Sequence, residues 1–496
     1  MLLTLGAAAT PVVVTAVATA AGAASFATVC VPRPTPLRSD TTLSGVSDAV
    51  HGRLRTYTVT SPSVGLTHVN VLLPVGYSRS SPRRYPVLYL LHGALSNYAD
   101  WASTAVANGV PQGGAVQSAV GQLPVIVVMP DDSPEGAYSD WYGVSAHDAG
   151  TDPVPATPSW ESYDINELIP WVDSNFHTQA GAAGRAIAGL SSGGAGAAKY
   201  AVAHPGLFGF VGMFSGALDT DLVDASTNWY ADANYLDGPG PPDQHCRYGD
   251  PLTADAGNQA YYWHDNDPTY EAGNLKGVKL FVASGNGTPT TADGPTNPAV
   301  RAYLGFTESV VDDMSHHFVA AVRSAGLGAN VRTDFYGNGI HAWSYWRADL
   351  ASFLRWLQPQ LDRPLARPTS FSFRTARAAS TAWGWSFHHD SGLAVPNVNT
   401  AEEFVYLQNL SHGGFSAAGH GTVRVTTPRG SYAAGSLQRV HAGRVDLTTR
   451  ANHAGQLTFS VAIGPPAPGP QLVFPEAGPP SDTPTVTVSI RGATGP

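Results

Sequence analysis

The sequence predicts an α/β fold built on a parallel sheet, followed by an all-β, sandwich-like C-terminal domain. Three observations carry that reading. Strand-like and helix-like runs alternate between about residues 53 and 361, the period then changes for good across a proline-bearing junction at 362–368, and a Gly-x-Ser-x-Gly turn sits where a strand gives way to a helix. Composition allows it: 43% of the 496 residues are apolar and 13% charged, enough for a large core and unlike a disordered chain.

Taken in order, residues 1–27 are uncharged, rich in Ala, Val and Leu, and end in small-x-small patterns at 21–23 and 25–27. They read as a signal peptide for export, although no basic residues precede the apolar run. A membrane helix is the competing reading, and Gly6, Pro11 and several Thr dilute it. Cys30 and Cys246 are the two cysteines; they form one disulfide or remain two thiols, and spacing does not decide. Two cysteines alone do not make a structural zinc site, and no metal or organic cofactor is implied. A net charge of −10 with only three lysines, Lys199, Lys276 and Lys279, argues against a nucleic-acid partner.

The catalytic domain is assigned to 28–361. Residues 56–73 alternate as one or two strands, and the continuous apolar runs 86–91 and 124–129 fit buried parallel strands. Ile165, Leu168, Ile169 and Val172 set a helical face within 159–176. Strands follow at 186–190, 210–214, 278–282 and 331–335, with helices at 194–204, 299–325 and 344–361. Beyond the linker at 362–368, the domain 369–496 shows short alternating runs at 370–373, 404–407, 422–426 and 485–490, punctuated by Gly and Pro. Trp383 and Trp385 in it are expected in its core rather than as a sugar platform.

The chemistry centres on Gly189-Leu190-Ser191-Ser192-Gly193-Gly194. A strand before and a helix after are the context in which such a serine becomes an exposed nucleophile, which makes the first domain an α/β-hydrolase fold. A serine hydroxyl needs a base. His341, after the last strand, follows the nucleophile in the order such folds use; His316 and His317 are adjacent on a helix and point apart, and His388-His389 falls in the β region. The orienting acid is Asp293, Glu308, Asp312 or Asp313, and spacing alone leaves the choice open. The backbone amides of Ala94 and Ser192 are the expected oxyanion donors. His92, Tyr138, Trp141 and Trp343 are candidates for lining the substrate groove, against a competing reading as core packing.

These motifs together resemble the esterase D group of α/β-hydrolases, and within it the antigen 85 mycolyltransferase/diacylglycerol acyltransferase proteins. The resemblance spans about 53–361 and rests on Leu90-Leu91-His92-Gly93 with Asp100-Trp101, the segment 138–142, the serine turn, Trp263 with Asn266-Asp267-Pro268, the segment 285–289, and 341–346. It implies Glu308, 33 residues before His341, as the third member of the triad in preference to Asp293. It further implies an exported serine esterase or acyltransferase acting on ester or acyl-lipid substrates, with a sugar or glycerol acceptor and cell-wall association as partner expectations. Two positions depart: His92 and Leu95 stand where those enzymes carry an Asp and an Arg associated with the sugar site, so the acceptor stays open. The rival reading is an idle hydrolase scaffold serving adhesion to matrix or wall, which has no need of a complete triad.

Overall fold

In the computed structural model the described residues are 30–32, 43–133, 136–145, 158–219, 247–249, 259–293, 297–361, 363–395, 399–475 and 478–493. The expected export stretch at 1–27 lies outside them. So does Cys246, and with it the pairing to Cys30.

Nine strands make the central sheet: β1 (Ser44–His51), β2 (Leu54–Ser61), β3 (Gly65–Leu72), β4 (Val87–Leu91), β5 (Ile126–Pro130), β6 (Arg185–Leu190), β7 (Phe210–Phe214), β8 (Lys279–Ser284) and β9 (Val331–Phe335). Their order is β9-β8-β7-β6-β4-β5-β3-β2-β1. The run from β9 to β5 is parallel, and β3, β2 and β1 continue it as an antiparallel meander. The continuous apolar runs read as buried strands are fully covered because helices pack on both faces. On one face Val87, Tyr89 and Leu91 meet Ala197 and Ala201 of α2 (Ser192–Ala203) and Phe318 and Val322 of α3 (Pro298–Ser324). On the other, Leu88 and Leu90 meet Leu350, Phe353 and Leu357 of α4 (Trp343–Leu361). Successive residues of β4 therefore serve opposite cores, as the strand's twofold period demands.

The helices expected at 299–325 and 344–361 are met within one residue at each end, and two others differ more. The helix expected at 194–204 starts at Ser192, directly after the nucleophile candidate. The one expected at 159–176, here α1, runs as Trp160–Ser162, a π-helical stretch Tyr163–Leu168, and Ile169–Asn175. Hydrophobic spacing reports which face is buried and carries no trace of a widened turn. Among the described residues no helix is long and apolar enough to cross a membrane.

Beyond residue 363 the chain forms a six-stranded and a four-stranded antiparallel sheet. Their inward residues share one core, in which Phe373, Val405 and Phe415 of the first meet Trp385, Val425 and Phe459 of the second. Trp383 and Trp385 lie in that core, 7% and 3% exposed. The first strand, β10 (Phe371–Arg377), ties the sandwich to the hydrolase layers. Arg377 pairs with both oxygens of Glu161 on α1, and its Nε donates to Asp265 Oδ2 at 3.0 Å. Asp265 Oδ1 also accepts from the Ala376 amide at 2.7 Å and Thr375 Oγ1 at 2.8 Å. Against burial, which would raise it, Arg377 and His204 hold the Glu161 carboxyl well below the usual range. Removing one partner of a buried ion pair strands the others. Arg377→Met is therefore expected to lower stability by about 3 kcal/mol, read from urea unfolding; an unchanged midpoint would show that the sandwich is held without this network.

A second buried acid at the same junction behaves oppositely. Glu271 is 1% exposed and, among the described residues, neither carboxylate oxygen has a hydrogen-bond partner. Burial, reinforced by Asp265, pushes its pKa well above the ordinary value. The folded protein thus binds a proton that the unfolded chain releases near the ordinary Glu pKa, so stability falls as pH rises from there through the folded pKa. Glu271→Gln should raise the thermal midpoint progressively from mildly acidic to alkaline pH. A constant offset across that range would contradict the assignment.

Candidate active site

The serine turn is built by close backbone contact. Ser191 follows β6 at φ 53°, ψ −124°, a conformation costly for a side-chain-bearing residue and characteristic of functional turns. Its amide donates to Phe214 O at 2.9 Å on neighbouring β7. A Cβ on Gly189 would stand 2.3 Å from Gly193 O, and one on Gly193 would stand 2.3 Å from His92 O. Both flanking glycines are thus fixed by sterics, and the N-terminus of α2 points its unpaired amides and dipole at the serine.

His341 comes from the loop between β9 and α4. Its amide donates to Leu304 O at 3.1 Å, and its ring stands edge-on to Trp346 with centroids 4.9 Å apart. The imidazole spans two partners: Nε2 lies 2.9 Å from Ser191 Oγ, and Nδ1 lies 2.7 Å from Glu308 Oε2. Of the four acids left open by spacing, Glu308 is the one hydrogen-bonded to His341. Asp293 caps the Thr290 amide, Asp312 accepts from Ser284 Oγ, and Asp313 lies 3.8 Å from His317. His317 bonds Asp219 while His316 stacks on Phe335, so the adjacent pair diverges as the helical spacing requires.

Glu308 is fully buried on α3, and its second oxygen accepts 2.8 Å bonds from Ser215 Oγ and the Gly285 amide. Ser215, at φ 46° just past β7, is in turn bonded by Trp346 Nε1 at 3.2 Å. Sequence reading passed over Ser215; its one signal is its place at the carboxyl end of a parallel strand, where such sheets gather their sites. Asp349 on α4, 2% exposed, also went unread. Burial, then the charge of Glu308, pushes its carboxyl well above the usual range.

The loop after β4 approaches the serine closely, since a Cβ on Gly93 would lie 3.3 Å from Ser191 Cβ. Among the described residues neither the Ala94 nor the Ser192 amide has an intramolecular acceptor. Trp101 Nε1 donates to Leu91 O at 2.8 Å and anchors the loop's start. His92 is 1% exposed; its Nε2 accepts from the Asp132 amide at 3.1 Å, so its Nδ1 carries the proton and donates to Gly93 O at 2.8 Å. Tyr138 is also 1% exposed and donates its OH to His92 O at 2.9 Å. Trp141, buried as well, donates to Gly136 O at 3.3 Å. Of the four residues expected to line a groove, these three are thus turned inward and occupied. Trp343, packed edge-on against Trp101 and Trp346, keeps partial exposure. Aromatic and histidine side chains near a site serve packing and recognition equally well, and a linear sequence does not separate the two.

A parallel sheet with a strained serine at its carboxyl edge, bonded to a histidine and a buried carboxylate, defines the class of α/β-hydrolases acting on acyl groups. Comparison places the chain within it. The Esterase family model matches residues 65–357, and the chain belongs to that family. It is 30% identical over 312 residues to the diacylglycerol acyltransferase/mycolyltransferase Ag85A of Mycobacterium tuberculosis, covering 62% of this chain and 80% of that protein. An esterase of the same organism is 38% identical over 151 residues, 30% of this chain and 28% of its own length. Among solved structures, MPT51 of Mycobacterium tuberculosis aligns with a TM-score of 0.46 at 23% identity, covering 61% of this chain and 97% of that one. The protein is an enzyme, an ester hydrolase or acyltransferase.

Proposed function

We propose that this protein is an exported serine esterase or acyltransferase that works through a Ser191-His341-Glu308 triad, carried by a catalytic domain at 28–361 with an accessory sandwich at 369–496. The observation that supports it best is the unbroken relay from Ser191 Oγ through the imidazole to Glu308, at 2.9 and 2.7 Å. Ser191 Oγ bonds to the ester carbonyl carbon while its proton passes to His341 Nε2. The negative charge that develops on the carbonyl oxygen is met by the amides of Ala94 and Ser192. Collapse breaks the bond to the leaving alcohol, which takes the proton from His341, and leaves an acyl group on Ser191. Water or an alcohol acceptor, deprotonated by the same histidine, then bonds to the acyl carbon, the bond to Ser191 Oγ breaks, and Oγ takes the proton back from His341. Glu308 keeps the proton on Nδ1 and balances the imidazolium.

Export is supported by the apolar, uncharged character of 1–27. The acyltransferase side is supported by the likeness to Ag85A, and a glycerol or sugar hydroxyl is the acceptor class to try first. Leu95, 82% exposed beside the Ala94 amide, presents an apolar group where a polar sugar clamp would need hydrogen-bonding side chains. Partial exposure of Trp343 makes it the candidate among the four for contact with the acyl group. The test is turnover of p-nitrophenyl esters of increasing chain length by the purified protein, with and without glycerol or trehalose. Ester cleavage with acyl product captured by the added alcohol supports transfer, and cleavage unaffected by it supports hydrolysis. Failure to cleave any ester, together with failure of a fluorophosphonate to label Ser191, would sink the reading and return the adhesion scaffold.

A further inference from the structure

Lys199 sits two turns into α2, eight residues past the serine, and is 3% exposed. A buried ammonium is costly unless its donors are used. All three are used, on one short stretch of chain and its neighbour: Nζ donates to Ala137 O at 2.7 Å, to Ser139 Oγ, and to Tyr248 OH at 2.9 Å. Between Ala137 and Ser139 stands Tyr138, and both Ala137 and Tyr138 are left-handed, at φ 52° and 53°. Consecutive non-glycine residues in that region are strained and persist only where surrounding bonds over-determine them. Here the bonds are those of Lys199 on either side and the two 2.9 Å bonds from the Tyr138 amide to the Asp132 carboxyl. The bend aims the Tyr138 hydroxyl at His92 O. That carbonyl directly precedes Gly93 and Ala94, and it is the atom against which Gly193 packs.

We propose that Lys199 is a positioning residue for the oxyanion loop. It holds the 137–139 bend so that Tyr138 fixes the His92 carbonyl and, through it, the Ala94 amide. The proposal rests on the reading of Ser191 and Ala94 given above. Nothing in the reaction itself calls on Lys199, which touches no reacting atom. Its contribution is to geometry, and a small misplacement of a donor to the developing oxyanion is paid in turnover rather than in binding.

The test is a double-mutant cycle on p-nitrophenyl butyrate hydrolysis with Lys199→Met and Tyr138→Phe. Each single variant should lose roughly 10–100-fold in kcat with KM changed by less than about threefold, as expected for a displaced oxyanion donor. Because both act along one path, the double variant should lose no more than the worse single one. Losses that multiply, an effect confined to KM, or unchanged kcat would each overturn the proposal. Should Lys199→Met not fold, Ser139→Ala takes its place in the cycle, since it removes one of the three acceptors and leaves the ammonium paired. Ser191→Ala runs alongside. Activity surviving in it would remove the nucleophile assignment itself, whereas activity lost there but retained in the Lys199 variant removes this proposal alone.

Discussion

Ser191→Ala is expected to lower kcat on p-nitrophenyl esters by roughly 10⁴–10⁶-fold, with little change in KM or in the unfolding midpoint. The size follows from the mechanism. Without Oγ there is no acyl-enzyme, and the residual rate is what the oxyanion amides supply to direct attack by water. Stability should hold because the strain at this turn resides in the backbone at φ 53° and in the contacts of Gly189 and Gly193, which alanine does not alter. Loss of fluorophosphonate labelling should accompany loss of turnover. Activity within tenfold of the parent, in a folded variant, would mean that another group attacks the ester.

Glu308→Gln tests the member of the proposed triad that spacing left most open. Glutamine keeps the length and volume of the side chain but offers an amide in place of a carboxylate. To bond Ser215 and the Gly285 amide, its carbonyl oxygen must take the place of Oε1, which turns the NH₂ toward His341 Nδ1. The imidazole must then accept at Nδ1 and carry its proton on Nε2, the wrong tautomer for taking one from Ser191. A loss on the order of 10⁴-fold in kcat is expected. Asp293→Asn is the matched control, because Asp293 is buried but bonds the Thr290 amide rather than His341. It should leave kcat within about threefold. Equal losses in the two variants would refute the special place given to Glu308.

Much of this site is legible along the chain. The glycine pattern around Ser191 is readable because it is local: the turn from strand to helix brings residues 189 and 193 into contact, and any side chain there would collide. His341 is readable because it ends the last strand-to-helix connection, and chain order in this fold is constrained. The strands β4 to β8 announce themselves because burial on both faces leaves continuous apolar runs, whereas the edge strand β9 has no buried residue. Resemblance to a family, more than spacing, singled out Glu308. A glutamate inside a 27-residue helix carries no local mark that distinguishes it from Asp312 or Asp313 a turn later.

What remained hidden depends on contacts between segments far apart in sequence. Ser215, Asp349 and Lys199 read as an ordinary loop serine and two helix charges until folding buries Asp349, sets Ser215 on Glu308 and Lys199 on the 137–139 bend. Tyr138 and Trp141, two of the aromatics expected to face a substrate, turned inward for the same reason: Tyr138 is drawn to His92 O across 46 residues, and local pattern holds no record of such a bond. Arg377 shows it most plainly, reaching Glu161 across 216 residues to join the sandwich to the hydrolase layers. The fold class, and Ser191 and His341 as the candidate nucleophile and base, are legible along the chain because periodicity and turn sterics act between near neighbours. Which aromatics stay open, which groups brace Glu308 and how the second β-sheet pair is fastened are set only in three dimensions, because those outcomes rest on burial and hydrogen bonding that exist only once distant segments meet.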